Sequence, residues 1–156
     1  MKRLLVFATV VVMAVMVSGL LQAQSDPFSG TWKFNTAKSK YTAGAPPKEE
    51  TITTVRTGDQ DEVTITGTSA TGMPISTKYA LPVKGGAGKI SEGPYDAVSG
   101  KVMNDNTREI SYMKGGQEIL HVNAVVSKDG KTMRGTLKGT DAQGKPVSGV
   151  SVFEKQ

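Results

Sequence analysis

Three features of the chain predict an all-β fold, an up-and-down antiparallel barrel of about eight to ten strands. Apolar and polar residues alternate over short segments, most clearly where Val63, Ile65 and Gly67 interleave with Thr64 and Thr66. Turn-forming residues recur roughly every eight to twelve positions, as in Gly58-Asp59-Gln60-Asp61, Lys114-Gly115-Gly116-Gln117 and Lys128-Asp129-Gly130-Lys131. The chain has no Cys. A small exported domain without disulfides relies on its core and its hydrogen-bond ladder, which suits a barrel with no free edge.

The first segment stands apart from that fold. Lys2 and Arg3 precede an apolar run from Leu4 to Val17 interrupted only by Thr9, and Leu21-Gln22-Ala23 offers a small-residue cleavage site. These are the three parts of a secretory signal. No basic stop-transfer cluster follows, and lipidation has no Cys to use. The expectation is a signal peptide over 1–23, a single domain over 24–156, no stable membrane insertion after cleavage, and a secreted or periplasmic monomer. With Lys2 and Arg3 removed, seventeen basic residues face fourteen acidic ones, and the formal charge falls from +5 to +3. The charges are interspersed, with no Lys/Arg cluster carrying aromatics between them, so nucleic acid is not an expected partner.

The first strand is read over Phe28 to Phe34, and its Trp32 is the only Trp in the chain. An aromatic of that size near the domain's start predicts a structural plug at one end of the barrel. From Thr36 to Lys48 the chain carries Gly44-Ala45-Pro46-Pro47, which excludes a central strand and leaves a connection or a short helical lid. Glu50 to Arg56 and Glu62 to Thr68 form a hairpin. Ile75, Thr77, Tyr79 and Leu81 share one face of the next strand. The glycine-rich stretch Lys84 to Lys89 fails as a phosphate loop, because Gly88-Lys89 is followed by Ile90 and position 83 is Val. It reads as a turn, and Ser91 to Asp96 reads as a loop. Ala97 to Met103, Thr107 to Met113, Glu118 to Ser127, Thr132 to Lys138 and Pro146 to Glu154 complete the strands. Gly67-Thr68-Ser69-Ala70-Thr71-Gly72-Met73-Pro74-Ile75-Ser76 recurs as Gly139-Thr140-Asp141-Ala142-Gln143-Gly144-Lys145-Pro146-Val147-Ser148, with six identical positions. The repeat predicts one turn type used twice on the same rim.

Phe28-x-Gly30-Thr31-Trp32-Lys33, the hairpin spacing and the ending Val152-Phe153-Glu154-Lys155 resemble the lipocalin and fatty-acid-binding-protein (calycin) barrels, especially lipocalin-like domains of secreted bacterial proteins. The resemblance implies that Trp32 closes one end and stacks on a basic side chain from a late strand, with Arg134 the first candidate and Arg108 the second. It also implies an Arg-x-Tyr pair on the last strand to hold a carboxylate. Ser151 and Phe153 stand at those positions, so that anchor is missing and the ligand class carries over weakly.

Chemistry-bearing residues are few. His121 is the only His, and it lies opposite the apolar face formed by Leu120, Val122, Ala124 and Val126. A surface or lumen-polar role is expected for it. Asp59, Asp61, Asp105, Asp129 and Asp141 fall in turns, where Asp suits the backbone. Glu50, Glu62, Glu109 and Glu118 read as solvated strand residues. No nucleophile–base pair or metal-ligand spacing is visible, so neither an enzyme, nor a metal, nor a cofactor is expected. Three classes of function remain, of which an enzyme on a lipocalin-like barrel ranks last; the other two are close. One is a barrel that binds a small apolar or amphipathic ligand, lined by Ile65, Tyr79, Val102, Tyr112 and Phe153, with Arg108 or Arg134 as anchor for an anion. The other is a filled barrel acting as a structural or interaction protein of the cell envelope.

Overall fold

The structure, a computed structural model, describes residues 26–156. The expected signal peptide and its cleavage point before Gln24 lie outside the described residues. The strands are β1 (Gly30–Phe34), β2 (Lys40–Ala43), β3 (Glu49–Thr57), β4 (Gln60–Thr68), β5 (Pro74–Pro82), β6 (Gly86–Ala87), β7 (Lys89–Glu92), β8 (Ala97–Asn104), β9 (Thr107–Lys114), β10 (Gln117–Val126), β11 (Thr132–Thr140) and β12 (Pro146–Lys155). They form one sheet in the order β6-β8-β9-β10-β11-β12-β1-β3-β4-β5-β7, with β2 attached to β12. All pairings are antiparallel. Consecutive strands are neighbours around most of the ring, so the up-and-down barrel expected from the hairpin spacing is the observed architecture.

The ring closes at two places. β1 lies between the first long hairpin and the last strand, pairing Trp32 with Ile52 on one side and with Lys155 on the other. At the far side β6 pairs with β8 while β7 pairs with β5, and the two short strands are joined only by Gly88. The Gly88 amide donates to the Val98 carbonyl at 2.8 Å. A Cβ at position 88 would sit 2.5 Å from the Ala80 carbonyl oxygen, so only glycine lets the strands approach there. The barrel is therefore nearly closed.

Twelve strands exceed the eight to ten expected, and the excess is β2, β6 and β7. Each is two to four residues long. Alternation over so short a span is not readable, and Lys84 to Lys89, expected to be only a turn, contains β6. Part of the Thr36 to Lys48 connection is likewise strand. β12 has β11 along one edge, whereas its other edge is shared by β1 at Phe153–Lys155 and by β2 at Ser148–Val150. The ladder between β1 and β3 stops at Lys33–Thr51, and β2 pairs with β12 alone. The wall between β2 and β3 is thus unpaired beside Glu49 and Glu50.

The repeated decapeptide makes the same turn twice. Ser69 N–H donates to the Met73 carbonyl at 2.8 Å and Gly72 N–H to the Ser69 carbonyl at 2.9 Å; Asp141 and Gly144 make the corresponding bonds to Lys145 and Asp141 at the same two distances. Gly72 and Gly144 have φ of 89° and 77°, which only glycine adopts without strain. Both turns lie on one rim, together with the β9–β10 hairpin.

At the opposite rim the barrel is plugged. Trp32 is fully buried among Phe28, Phe34, Ala124, Val126, Met133 and Phe153. Its indole N–H donates to the Phe28 carbonyl at 2.9 Å, tying the entering chain across the barrel end. Truncating a buried aromatic leaves a cavity and costs about 3–5 kcal/mol. Trp32→Ala is expected to lower the thermal midpoint markedly, and an unchanged midpoint in a melting experiment would remove the plug from this fold.

Candidate functional site: a tyrosine-lined lumen

Inner-face positions follow from strand parity. On β3 the even residues point inward with Ile52, on β4 and β5 the odd residues Val63 and Tyr79, and on β9 and β10 the even residues Tyr112 and Ala124. Leu120, Val122, Ala124 and Val126 face inward as their pattern predicts. His121 is on the outer face, half-buried, with its Nδ1 3.4 Å from Ser111 Oγ and 3.6 Å from a Glu118 carboxylate oxygen.

The plugged end holds two arginines and two aspartates in one network. Arg56 engages Asp61 through Nε at 2.8 Å and Nη2 at 2.9 Å, and reaches Asp26 at 3.0 Å. Arg108 donates to Asp61 at 2.7 Å and to Asp26 at 2.8 Å, and its guanidinium lies 4.2 Å from the centre of the Phe28 ring. Asp61 is 1% exposed. Burial opposes its charge, but the hydrogen bonds and charges of Arg56 and Arg108 outweigh burial and hold its carboxyl below the usual aspartate range. Asp61 is therefore an inward-facing partner of two arginines as well as a hairpin residue.

This network corrects the anion anchor expected of the arginines. Arg108 is committed to two carboxylates, and Arg134 is exposed, level with Val125 and Val152 on the outer face. Neither packs on Trp32; the cation over that ring is Lys155, whose Nζ is 5.0 Å from its centroid. Two further candidates also move. Val102 lies level with Arg108 but at the rim, 39% exposed. Phe153 belongs to the plug, edge-on to Phe34 with ring centroids 5.6 Å apart.

The remaining candidates, Ile65, Tyr79 and Tyr112, do come together in the other half of the barrel. Tyr79 and Tyr112 are buried with rings edge to face at 5.7 Å and hydroxyl oxygens 3.0 Å apart. Tyr95, in the loop between β7 and β8, packs on Tyr112 at 4.7 Å. Tyr41 on β2 bonds Ser151 Oγ at 2.6 Å. Each pair of hydroxyls uses one hydrogen internally and leaves one donor and several lone pairs over.

Among these tyrosines lies a residue expected to be solvated. Glu50 follows the inward parity of Ile52 and Thr54, whereas Glu49 beside it faces outward and accepts from Thr68 at 2.9 Å. Burial lifts the Glu50 carboxyl to about 7, with no hydrogen bond or ion pair opposing it among the described residues. Burial likewise raises Tyr41, pushes Tyr79 and Tyr95 up to about 12 and lifts Tyr112 well above the ordinary tyrosine range, and the negative charge of Glu50 adds to the rise in all four. They are all the tyrosines in the chain. Strand parity carried the signal for Glu50: it is two residues before Ile52.

At this level the inner face is only partly covered. Glu50, Ile65, Ile110, Leu120, Val122 and Leu137 keep accessible surface although they face inward, while Leu81 and Val98 beside them are buried. The unpaired stretch of wall between β2 and β3 borders Glu50. Fold and site together define a barrel with one plugged end and an interior of apolar walls, hydroxyls and the Glu50 carboxyl, which has no bonded partner among the described residues. No family model and no curated protein matches the chain. Among solved structures it is similar to zebrafish ileal bile acid-binding protein, crystallised with cholic acid, at 18% identity over 83% of this chain and 99% of that one, with a TM-score of 0.44.

An acid whose carboxyl is raised in the folded state binds its proton more tightly there than in the unfolded chain. Stability falls as pH rises from the ordinary glutamate range through about 7, then levels. The four tyrosines, all raised above their ordinary range, stay neutral throughout that window. Glu50→Gln is expected to match the wild type in melting temperature near pH 4 and to exceed it by several degrees at about pH 8. A constant difference between the two proteins across that range would show that Glu50 titrates normally.

Proposed function

We propose that this protein is an exported binding module that holds a small apolar or amphipathic molecule in its lumen. The observation that carries the reading is the accessible surface kept by inward-facing Ile65, Ile110, Leu120, Val122 and Leu137. A filled barrel buries its inner face, as the plugged end does here around Trp32. Apolar walls with a few convergent polar groups are the usual make-up of a small-molecule site. Among the described residues no three metal-capable side chains converge.

The apolar fluorophore Nile red is expected to bind the wild type saturably, with emission shifted to the blue. Leu120→Trp, which adds bulk to the inner face, is expected to weaken binding by about tenfold or more, whereas Val125→Trp on the exposed outer face leaves it unchanged. Absence of saturable binding, or binding indifferent to Leu120→Trp, would return the barrel to a structural or interaction role.

Export rests on Lys2, Arg3, the apolar run after them and Ala23. N-terminal sequencing of the protein recovered outside the inner membrane is expected to begin at Gln24. Recovery of the intact chain in the membrane fraction would refute the export reading.

A further inference from the structure

We infer that the molecule held in this lumen carries a cationic or strongly hydrogen-donating head, such as a protonated amine, which docks against Glu50. The inference rests on the binding reading above and adds the chemical class of the guest. Its basis is the division of charge inside the barrel. The inward-facing arginines, Arg56 and Arg108, sit at the plugged end and are neutralised one for one by Asp26 and Asp61. The open half contains Glu50, on the inward parity of β3, together with the paired hydroxyls of Tyr79 and Tyr112 and the ring of Tyr95, whereas Tyr41, bonded to Ser151, packs toward the plug.

No cation of the described residues reaches the Glu50 carboxyl, so this half of the lumen supplies a formal negative charge and spare lone pairs. An ammonium head has three donors and no acceptor. A carboxylate in a lumen that also carries phenolic oxygens matches it, and aromatic rings add attraction for a cation in a desolvated setting. A carboxylate head would meet the charge of Glu50 with nothing to offset it. The apolar tail of such a guest has Ile65, Ile110, Leu120 and Val122 to lie against, and the unpaired wall between β2 and β3 lets the head enter beside Glu50.

The test is displacement of Nile red at about pH 8, where Glu50 is ionised, by decylamine, decanol and decanoate. These three share a chain and differ in the head. Decylamine is expected to displace the dye at concentrations about tenfold lower than decanoate, with decanol between them. In Glu50→Gln the preference is expected to vanish while the dye still binds. Equal displacement by amine and acid, a preference for the acid, or an amine preference that survives Glu50→Gln would overturn the inference and leave the lumen reading standing. Failure of Nile red to bind the wild type would overturn both.

Discussion

The ion network of Asp26, Arg56, Asp61 and Arg108 is the constraint on which the rest of the barrel depends. It links the entering chain, β3, β4 and β9, elements that are not all neighbours in the sheet, and it does so at a buried site. Three of the four, Asp26, Asp61 and Arg108, are largely buried, while Arg56 caps the set from the surface. Burying charges is unfavourable unless each is paired, and removal of one buried member costs about 3–5 kcal/mol because it strands its partners. Here two guanidinium groups meet two carboxylates. Asp26 draws its segment across the barrel end, Phe28 slides under Arg108, and the Phe28 carbonyl becomes the acceptor for the Trp32 indole. The plug is thus locked by charge on one side and by apolar packing on the other. Among the described residues Arg108 Nε is a buried side-chain donor that finds no acceptor, a consequence of using both terminal nitrogens on carboxylates.

Much of this fold was legible in the sequence, because period-two alternation and Gly/Asn/Asp turns act locally. The long strands, the hairpins and the twin turns at Ser69–Met73 and Asp141–Lys145 all follow from such local rules. The short strands β2, β6 and β7 do not, since their pairing is decided by what the rest of the barrel leaves unpaired. Long-range electrostatics was equally hidden. Asp61 sits in a turn-like tetrapeptide, and nothing in its neighbourhood announces a partner 47 residues away in Arg108. Lys155, not an arginine, covers Trp32 because the β1–β12 register sets the two opposite each other.

The candidate site divides in the same way. Tyr79, Tyr112 and Ile65 were identifiable because each belongs to an alternating apolar set. Val102 and Phe153 share that parity but occupy the rim and the plug, and depth along a strand is a property of the whole barrel. Glu50 was misjudged on residue type, since charge is ordinarily solvated. Its parity with Ile52 was the better guide, and it places an acid where residue type predicts an aliphatic.

The two halves of the interior obey opposite electrostatic rules. At the plugged end, charge is present in matched pairs and contributes to the fold. In the open half, Glu50 has no partner among the described residues, and a lone acid in that position destabilises the folded state relative to a neutral residue once it ionises. A guest that supplies the missing cation removes that penalty, so its binding and the stability of the barrel are thermodynamically linked: the same contact that holds the ligand stabilises the fold. The linkage also makes protons competitors of the guest. Below about 7 the Glu50 carboxyl is neutral and attracts an amine only as a hydrogen-bonding group; above it the full charge is available. The tyrosines leave this contrast intact, because phenols remain neutral over the whole range.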